Sequence, residues 1–244
     1  MEVGVIVDLE TTGVDPKVDQ VVEVGIVEFA VSSAPAGGLR ADMIGGYSAL
    51  QDPGRPLPPE VAKLTGLSDE LLVGRAADWT LVRQMLSRAS VVIAHNAAFD
   101  RGFLERRPEL EGLTAHWACS VKHINWRKHG FRTRALNYLA ADQGFVNPFA
   151  HRALFDCATT FRVVTPYFEE LIRRSYLREY LVSATGAAFE TKDVLREHGY
   201  RWNPDARVWA KTLLEDELEE ERAFLTSDVY KGASRHKEEE IRTP

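Results

Sequence analysis

The sequence predicts an α/β fold: a mixed sheet flanked by helices, followed by a small C-terminal α+β module. Three observations carry this. Val3-Gly4-Val5-Ile6-Val7 is short and β-branched and runs into a turn at Gly13, as a buried strand does. Apolar and polar residues alternate from Gln20 to Val31, with Val22, Val24 and Ile26 set against Glu23 and Glu28, giving a long second strand. From position 153 onward, Ala153, Cys157, Phe161, Val164, Phe168 and Leu171 recur at helical spacing.

The other elements follow in order. Ser32–Gly38 reads as a loop and Met43–Leu50 as a third strand. Asp78–Ala89 carries Leu81, Val82, Met85, Leu86 and Ala89 at helical spacing, a core face. Ser90–Asn96 is another buried strand, leading into a short helix with Phe99, Phe103 and Leu104 apolar and Asn96 able to cap it. Thr133 can cap a helix through Leu136 and Leu139 that stops at Gly144. Pro166 should kink or shorten the long last helix of this domain.

The candidate chemistry begins at the end of the first strand, in Asp8-Leu9-Glu10-Thr11-Thr12-Gly13. Side chains on a strand alternate faces, so Asp8 and Glu10 point the same way. Two adjacent carboxylates repel and are costly to desolvate, which a divalent cation would offset. Taken alone, the pair reads equally as two strand-end acids meeting solvent. Two further clusters favour the cation: Asn96-x-x-Phe99-Asp100 at a helix start, and His151-x-Ala153-x-x-Asp156 at the start of the long helix.

In that order and those contexts the three clusters resemble the DEDD-type 3′→5′ exonucleases, in the subgroup whose last motif is His-x-Ala-x-x-Asp. The likeness is to the proofreading epsilon subunits of bacterial DNA polymerase III and their stand-alone relatives, and it covers roughly residues 1 to 172. It implies a ribonuclease H-like architecture and two Mg²⁺ or Mn²⁺ ions per site. By this resemblance Asp8 bridges both ions, Glu10 and Asp156 hold the ion carrying the attacking water, and Asp100 supports the other. His151 would be the general base. Leu9, Thr11 and Thr12 would line the pocket for the 3′-terminal nucleotide, with Asn96 beside them. Glu60 and Thr65, in Pro59–Leu67, would face that nucleotide. Phe99 would either stack on a base or belong to the core. One departure is visible: relatives follow the Trp near 117 with an acidic residue and Thr, whereas this chain has Ala118-Cys119-Ser120. That position is not catalytic in the family and bears on packing.

Composition sets outer limits. With 45% hydrophobic residues in 244, the chain can bury one large domain and one small one. Cys119 and Cys157 form no C-x-x-C pair, which argues against a disulfide framework or zinc site. No charged-then-apolar leader or membrane-length apolar run is present, so a soluble, cytoplasmic protein without membrane partners is expected. The net charge of −6 disfavours a general nucleic-acid binder, yet residues 101–135 hold eight Lys or Arg against three Glu. Trp117, Trp126 and Phe131 lie in that stretch, either as stacking faces or as buried aromatics. His116, His123 and His129 lack partners at ligand spacing and read as solvated or nucleic-acid-facing.

Three segments are expected: an exonuclease domain over 1–172, an accessory βαββα module over 176–233 and a flexible tail over 234–244. The module reads as a strand in Tyr176–Ala184, a helix in Thr191–His198 stopped by Gly199, a hairpin turning at Asn203-Pro204-Asp205-Ala206, and a helix through Glu215–Leu225. That last helix carries six acids within seven residues as a solvated face. Arg201, Trp202, Trp209 and Lys211 either guide single-stranded nucleic acid or, for the two Trp, build the module's own core. The function expected is metal-dependent release of nucleoside 5′-monophosphates from single-stranded or frayed 3′ ends, DNA favoured over RNA. The alternatives are an exoribonuclease and a catalytically silent subunit of a polymerase or repair complex. No polymerase-docking segment is identifiable.

Overall fold

Both faces of β1 (Glu2–Thr11) are buried: Val5, Val7 and Leu9 enter one core and Ile6 enters another. A strand covered on both sides is central, and the sheet is built around it. In a computed structural model, which describes residues 2–33 and 39–242, β2 (Val21–Ser33) pairs antiparallel with β1, and β3 (Leu39–Leu50) pairs antiparallel with β2. Residues 34–38 of the expected Ser32–Gly38 loop lie outside the described residues. Helices α1 (Pro59–Thr65), α2 (Asp69–Leu72) and α3 (Trp79–Arg88) follow. Asp78 caps α3 by accepting from the Leu81 amide. Leu81 itself turns outward at 37% exposure, because its place on the helix leaves the core face to Val82, Met85 and Leu86.

The chain then crosses to the other side of β1. β4 (Val92–Ala94) pairs parallel with β1, leads into α4 (Ala97–Leu104), and β5 (Trp117–Cys119) pairs parallel with β4. The sheet order is β3-β2-β1-β4-β5, a mixed sheet. After α5 (Ser120–His123) and α6 (Leu136–Asp142), α7 (Ala153–Val164) packs on the second face of the sheet, Cys157, Phe161, Val163 and Val164 lying with Ile6, Val27 and Phe29. Pro166 ends it as expected: a 3₁₀ turn over Thr165–Tyr167 separates α7 from α8 (Phe168–Ser175).

The chain divides into two compact units, Met1–Ser175 and Tyr176–Pro244. In the second, β6 (Glu179–Ser183) precedes α9 (Lys192–Glu197), the hairpin of β7 (Arg201–Asn203) and β8 (Val208–Leu214), and α10 (Leu218–Phe224). The expected flexible tail does not fit the structure: β9 (Lys237–Arg242) pairs antiparallel with β6, completing the order β7-β8-β6-β9. Its acids hid the strand from sequence, yet Glu238 accepts from Arg222 Nε at 2.7 Å and His236 Nε2 lies 2.8 Å away. The last acidic helix is not wholly solvated either. Glu221 is buried and takes the Lys211 ammonium at 2.7 Å. Among the described residues no helix is long and apolar enough to cross a membrane.

Candidate active site

The pleat of β1 sends Asp8 and Glu10 to the face that α7 covers, while Leu9 points into the opposite core at 4% exposure. Register places Asp8 opposite Gly25 and Glu10 opposite Glu23 on β2, and the ladder slips at Glu10/Thr11, where the strand ends. α4 carries Asp100 at 2% exposure, and its Oδ1 accepts the Leu9 amide at 3.1 Å, fastening α4 to β1. α7 carries Asp156 in its first turn. Both its oxygens are held: Oδ1 by Asn147 Nδ2 at 2.7 Å and Oδ2 by the His151 amide at 2.8 Å. His151 lies just before the helix with φ at 61°, a left-handed backbone unusual for a non-glycine residue. That turn brings ligand atoms of Glu10, His151 and Asp156 within 4.8 Å of one another.

Four carboxyl groups share this space and none is comfortable as an anion. Burial, then the charges of Asp100, Asp156, Glu10 and Glu23, push Asp8 well above the ordinary carboxylate range. Burial and the Asp156 charge push Glu10 up to about 8. Burial raises Asp100 to about 7, against hydrogen bonds that lower it, and burial raises Asp156 as well. Such a group is electrostatically unfavourable by itself and suits a hard divalent cation, whose preferred donors are carboxylate oxygens. The residues therefore fit the metal that the sequence implies.

The expected nucleotide contacts fare unevenly. Leu9 packs its side chain in the core at 4% exposure. Thr11 and Thr12 are 8% and 3% exposed. Thr11 Oγ1 donates to Gly13 O at 2.5 Å, and Thr12 Oγ1 donates to Asp19 while accepting from the Gln20 amide and from Arg55 Nη2 at 2.6 Å. Thr65 is buried, its hydroxyl donating to Val61 O and accepting from the Leu67 amide, which makes it a helix-end brace. Glu60 is exposed in the first turn of α1. Asn96 stands exposed at the N-cap position of α4 but makes no cap hydrogen bond, leaving its amide side chain for other contacts. Phe99 is half-buried, with its ring 5.0 Å from Phe103.

The basic stretch offers charges without the two Trp faces: Trp117 and Trp126 are core residues, at 8% and 1% exposure. Its histidines are structural too. His123 is buried and accepts the Cys119 amide at 3.0 Å, His116 Nε2 lies 2.7 Å from Ser175 Oγ, and His129 meets Glu170 at 2.5 Å. Cys119 and Cys157 are both free. In the second unit Lys211 is engaged by Glu221, so it is not a spare cation, and Trp209 packs against the unit's core. Arg201 is exposed, and Trp202 is 49% exposed with its ring 5.8 Å from Trp209.

Sequence reading missed four residues that shape the first unit's site: Arg55, Asn147, Glu23 and Arg152. Arg152 is an unassigned position of the His151-x-Ala153-x-x-Asp156 motif, and Glu23 reads in sequence only as a polar step in an alternating strand. An acid on a strand covered from both sides was the available signal.

Comparison with known proteins covers the first unit. The profile of the family RNase_T, described as exonuclease, matches residues 5–164. The DNA polymerase III subunit epsilon of Treponema pallidum is 33% identical over 168 residues, 65% of this chain and 73% of that protein. The PolC-type DNA polymerase III of Thermotoga maritima is 28% identical over 179 residues, covering 68% of this chain. The chain spans only 12% of that polymerase and 10% of its Listeria innocua counterpart. Among solved structures, the zinc-bound E. coli ExoI–ssDNA complex superposes with a TM-score of 0.60 at 12% identity, covering 88% of this chain and 63% of that one. A second structure, of exonuclease I, superposes with a TM-score of 0.55 at 14% identity, with the same two coverages. These likenesses are of fold: the five-stranded mixed sheet with its helices is the ribonuclease H-like arrangement.

Proposed function

Because the chain belongs to the RNase_T exonuclease family, we propose that it is a divalent-metal-dependent 3′→5′ exonuclease that releases nucleoside 5′-monophosphates from DNA ends. The observation that carries the reading is the convergence of Asp8, Glu10, Asp100 and Asp156, raised in pKa by burial and mutual charge, with His151 set beside Glu10 and Asp156. Two Mg²⁺ or Mn²⁺ ions held by these carboxylates would neutralise the phosphodiester and stabilise its attacking and leaving oxygens. By the family pattern Asp8, which feels the charges of the other three acids, would hold both ions, Glu10 and Asp156 would hold one of them and Asp100 would support the other.

The chain's own groups do the rest. His151, exposed beside the acids, accepts the proton of the attacking water as general base. The new bond joins the water oxygen to phosphorus, and the bond to the 3′ oxygen of the shortened strand breaks, that oxygen keeping the electron pair and taking a proton from solvent to become the new 3′ hydroxyl. Thr11, Thr12, Asn96, Phe99 and Glu60 remain the surroundings of the terminal nucleotide, with Arg55 added through Thr12. In the second unit Trp202 and Arg201 are the nucleic-acid contacts. DNA is favoured because a relative is named as a DNA polymerase III subunit and a structural neighbour was solved with single-stranded DNA. Association with a polymerase belongs to the same proposal. The silent-subunit reading has no support in a chain that keeps all four acids and His151.

End-labelled single-stranded DNA, duplex DNA with a recessed 3′ end, and RNA, each with Mg²⁺ or Mn²⁺, test this. Stepwise shortening from the 3′ end with mononucleotide release is expected, fastest on DNA. Folded protein releasing no mononucleotide from any of the three would overturn the assignment.

A further inference from the structure

Glu23 is a carboxylate at 1% exposure on a strand that is otherwise apolar at this level, and no ion need be invoked for it. Its oxygens are taken by Arg152. Nε donates to Oε2 at 3.0 Å and Nη2 to Oε1 at 3.1 Å, a two-pronged pairing whose planar fork fixes both partners in angle as well as distance. Oε2 also lies 3.3 Å from the Ala153 amide, the first of α7. Arg152 occupies the N-cap position of α7 but offers no capping oxygen, so the cap is supplied from β2 by Glu23.

This clamp grips the residue that follows His151. On the other side, the His151 amide is held by Asp156 at 2.8 Å, and Asp156 by Asn147. His151 is thus fixed in its left-handed turn from two directions: by its own helix through Asp156, and by the sheet through Arg152 and Glu23. Glu23 faces Glu10 across the β1–β2 ladder, so the strand carrying the clamp is paired to the strand carrying the acids that His151 must meet.

We infer that Glu23 and Arg152 are positioning residues for His151: an ion pair between a buried carboxylate and a partly exposed guanidinium that locks the α7 entrance to the sheet and presents the imidazole beside Glu10 and Asp156. The inference rests on the reading of His151 as general base. Groups that orient active-site side chains from behind are typically worth 10- to 100-fold in activity.

The test measures kcat and KM on a single-stranded oligodeoxynucleotide, together with Mn²⁺ affinity by calorimetry, for R152A, R152K, H151A and R152A/H151A. R152A should lower kcat by roughly 10- to 100-fold, with KM and Mn²⁺ affinity little changed. R152K, which keeps the charge but not the fork, should restore only part of the loss. R152A/H151A should be no slower than H151A alone, because a positioning residue has nothing left to position. Losses that multiply in the double variant would overturn the inference, as would an R152A defect repaired by excess metal. If H151A itself keeps full kcat, the general-base reading fails, which is a separate outcome. Should R152A not fold with the buried Glu23 left unpaired, E23Q/R152Q removes both charges together. It should show the same fall in kcat, and wild-type kcat in that folded variant would equally overturn the inference.

Discussion

Gly25 lies directly beneath the first turn of α7: a Cβ built on it would come within 2.3 Å of the Ala153 carbonyl carbon and 2.4 Å of the Leu154 nitrogen. Both contacts are backbone, so no side-chain rotation can relieve them. Cys157 Sγ donates to the Gly25 carbonyl at 3.2 Å, and Gly25 is the ladder partner of Asp8. Helix α7, which holds Asp156, therefore rests against the strand at the level of Asp8 because residue 25 has no side chain. Gly25→Ala should force α7 outward at an overpacking cost of about 1–3 kcal/mol. It should reduce activity more than that loss of stability explains, since Asp156 and His151 move with the helix. Thermal melts and kcat on the same samples check this; unchanged kcat in a destabilised variant would show that the site tolerates the shift.

Asp8 feels the charges of Asp100, Asp156 and Glu10 together, so it both organises the site and strains the metal-free protein. Asp8→Asn should abolish turnover while raising metal-free stability by about 0.5–2 kcal/mol, the usual range for stabilising substitutions. Denaturation in EDTA and turnover in Mg²⁺ read the two effects separately. Residual turnover near wild type would remove Asp8 from its bridging place.

His151→Ala should behave differently. Its backbone amide still reaches Asp156 Oδ2, so the carboxylate cluster survives the loss of the ring. A fall in kcat of roughly 10²–10⁴ is expected for a lost general base, with metal affinity kept within a few-fold. Collapse of metal binding would instead make the imidazole a ligand, which its closeness to Glu10 and Asp156 allows.

The raised carboxyls also set how metal-free stability responds to pH. Glu10 stands at about 8 against an ordinary 4.5, and Asp100 at about 7 against 3.8. Between those limits the folded state binds protons that the unfolded chain has released, so stability must fall as pH rises through the window. The contribution is intact below the ordinary values and lost above the raised ones. Excess Mg²⁺ should flatten or reverse the slope, because it binds the deprotonated acids of the folded state. Melting temperatures at about pH 5 and pH 8, in EDTA and in Mg²⁺, test this. A metal-free protein equally stable at both would mean the acids are not crowded as described.

Much of this was legible in the sequence, and the limits have physical causes. The β-branched runs showed β1, β2 and β4 because those strands are buried, and spacing placed α7 because its apolar face is long. Motif and context singled out Asp8, Glu10, Asp100, Asp156 and His151, whose side chains the fold brings into one neighbourhood. Glu23 and Arg152 escaped because their importance lies in meeting each other across 129 positions, which periodicity does not record. Leu9 and Thr65, expected at the nucleotide, have side chains engaged in core packing and at a helix end, contacts that depend on the pleat and the turn rather than on the motif around them. The β9 strand was missed because Lys237–Arg242 carries three Glu, a composition read as tail.

That acidic strand has a testable anchor. Glu238 accepts from Arg222 Nε at 2.7 Å and Nη2 at 2.6 Å, with His236 Nε2 2.8 Å away, and these bonds hold its carboxyl down to about 2 against an ordinary 4.5. A depressed acid stabilises the fold above its ordinary value, and that contribution fades as pH falls from about 4.5 through about 2. Since β9 lies at the sheet edge and, among the described residues, pairs with β6 only, loss of the anchor should free the strand before the rest of the unit. Glu238→Gln should therefore speed amide exchange in residues 237–242 at neutral pH and leave the α7 amides untouched. The melting difference between wild type and this variant should shrink to nothing by about pH 2. A gap that persists there would assign the effect to packing rather than to the charge on Glu238.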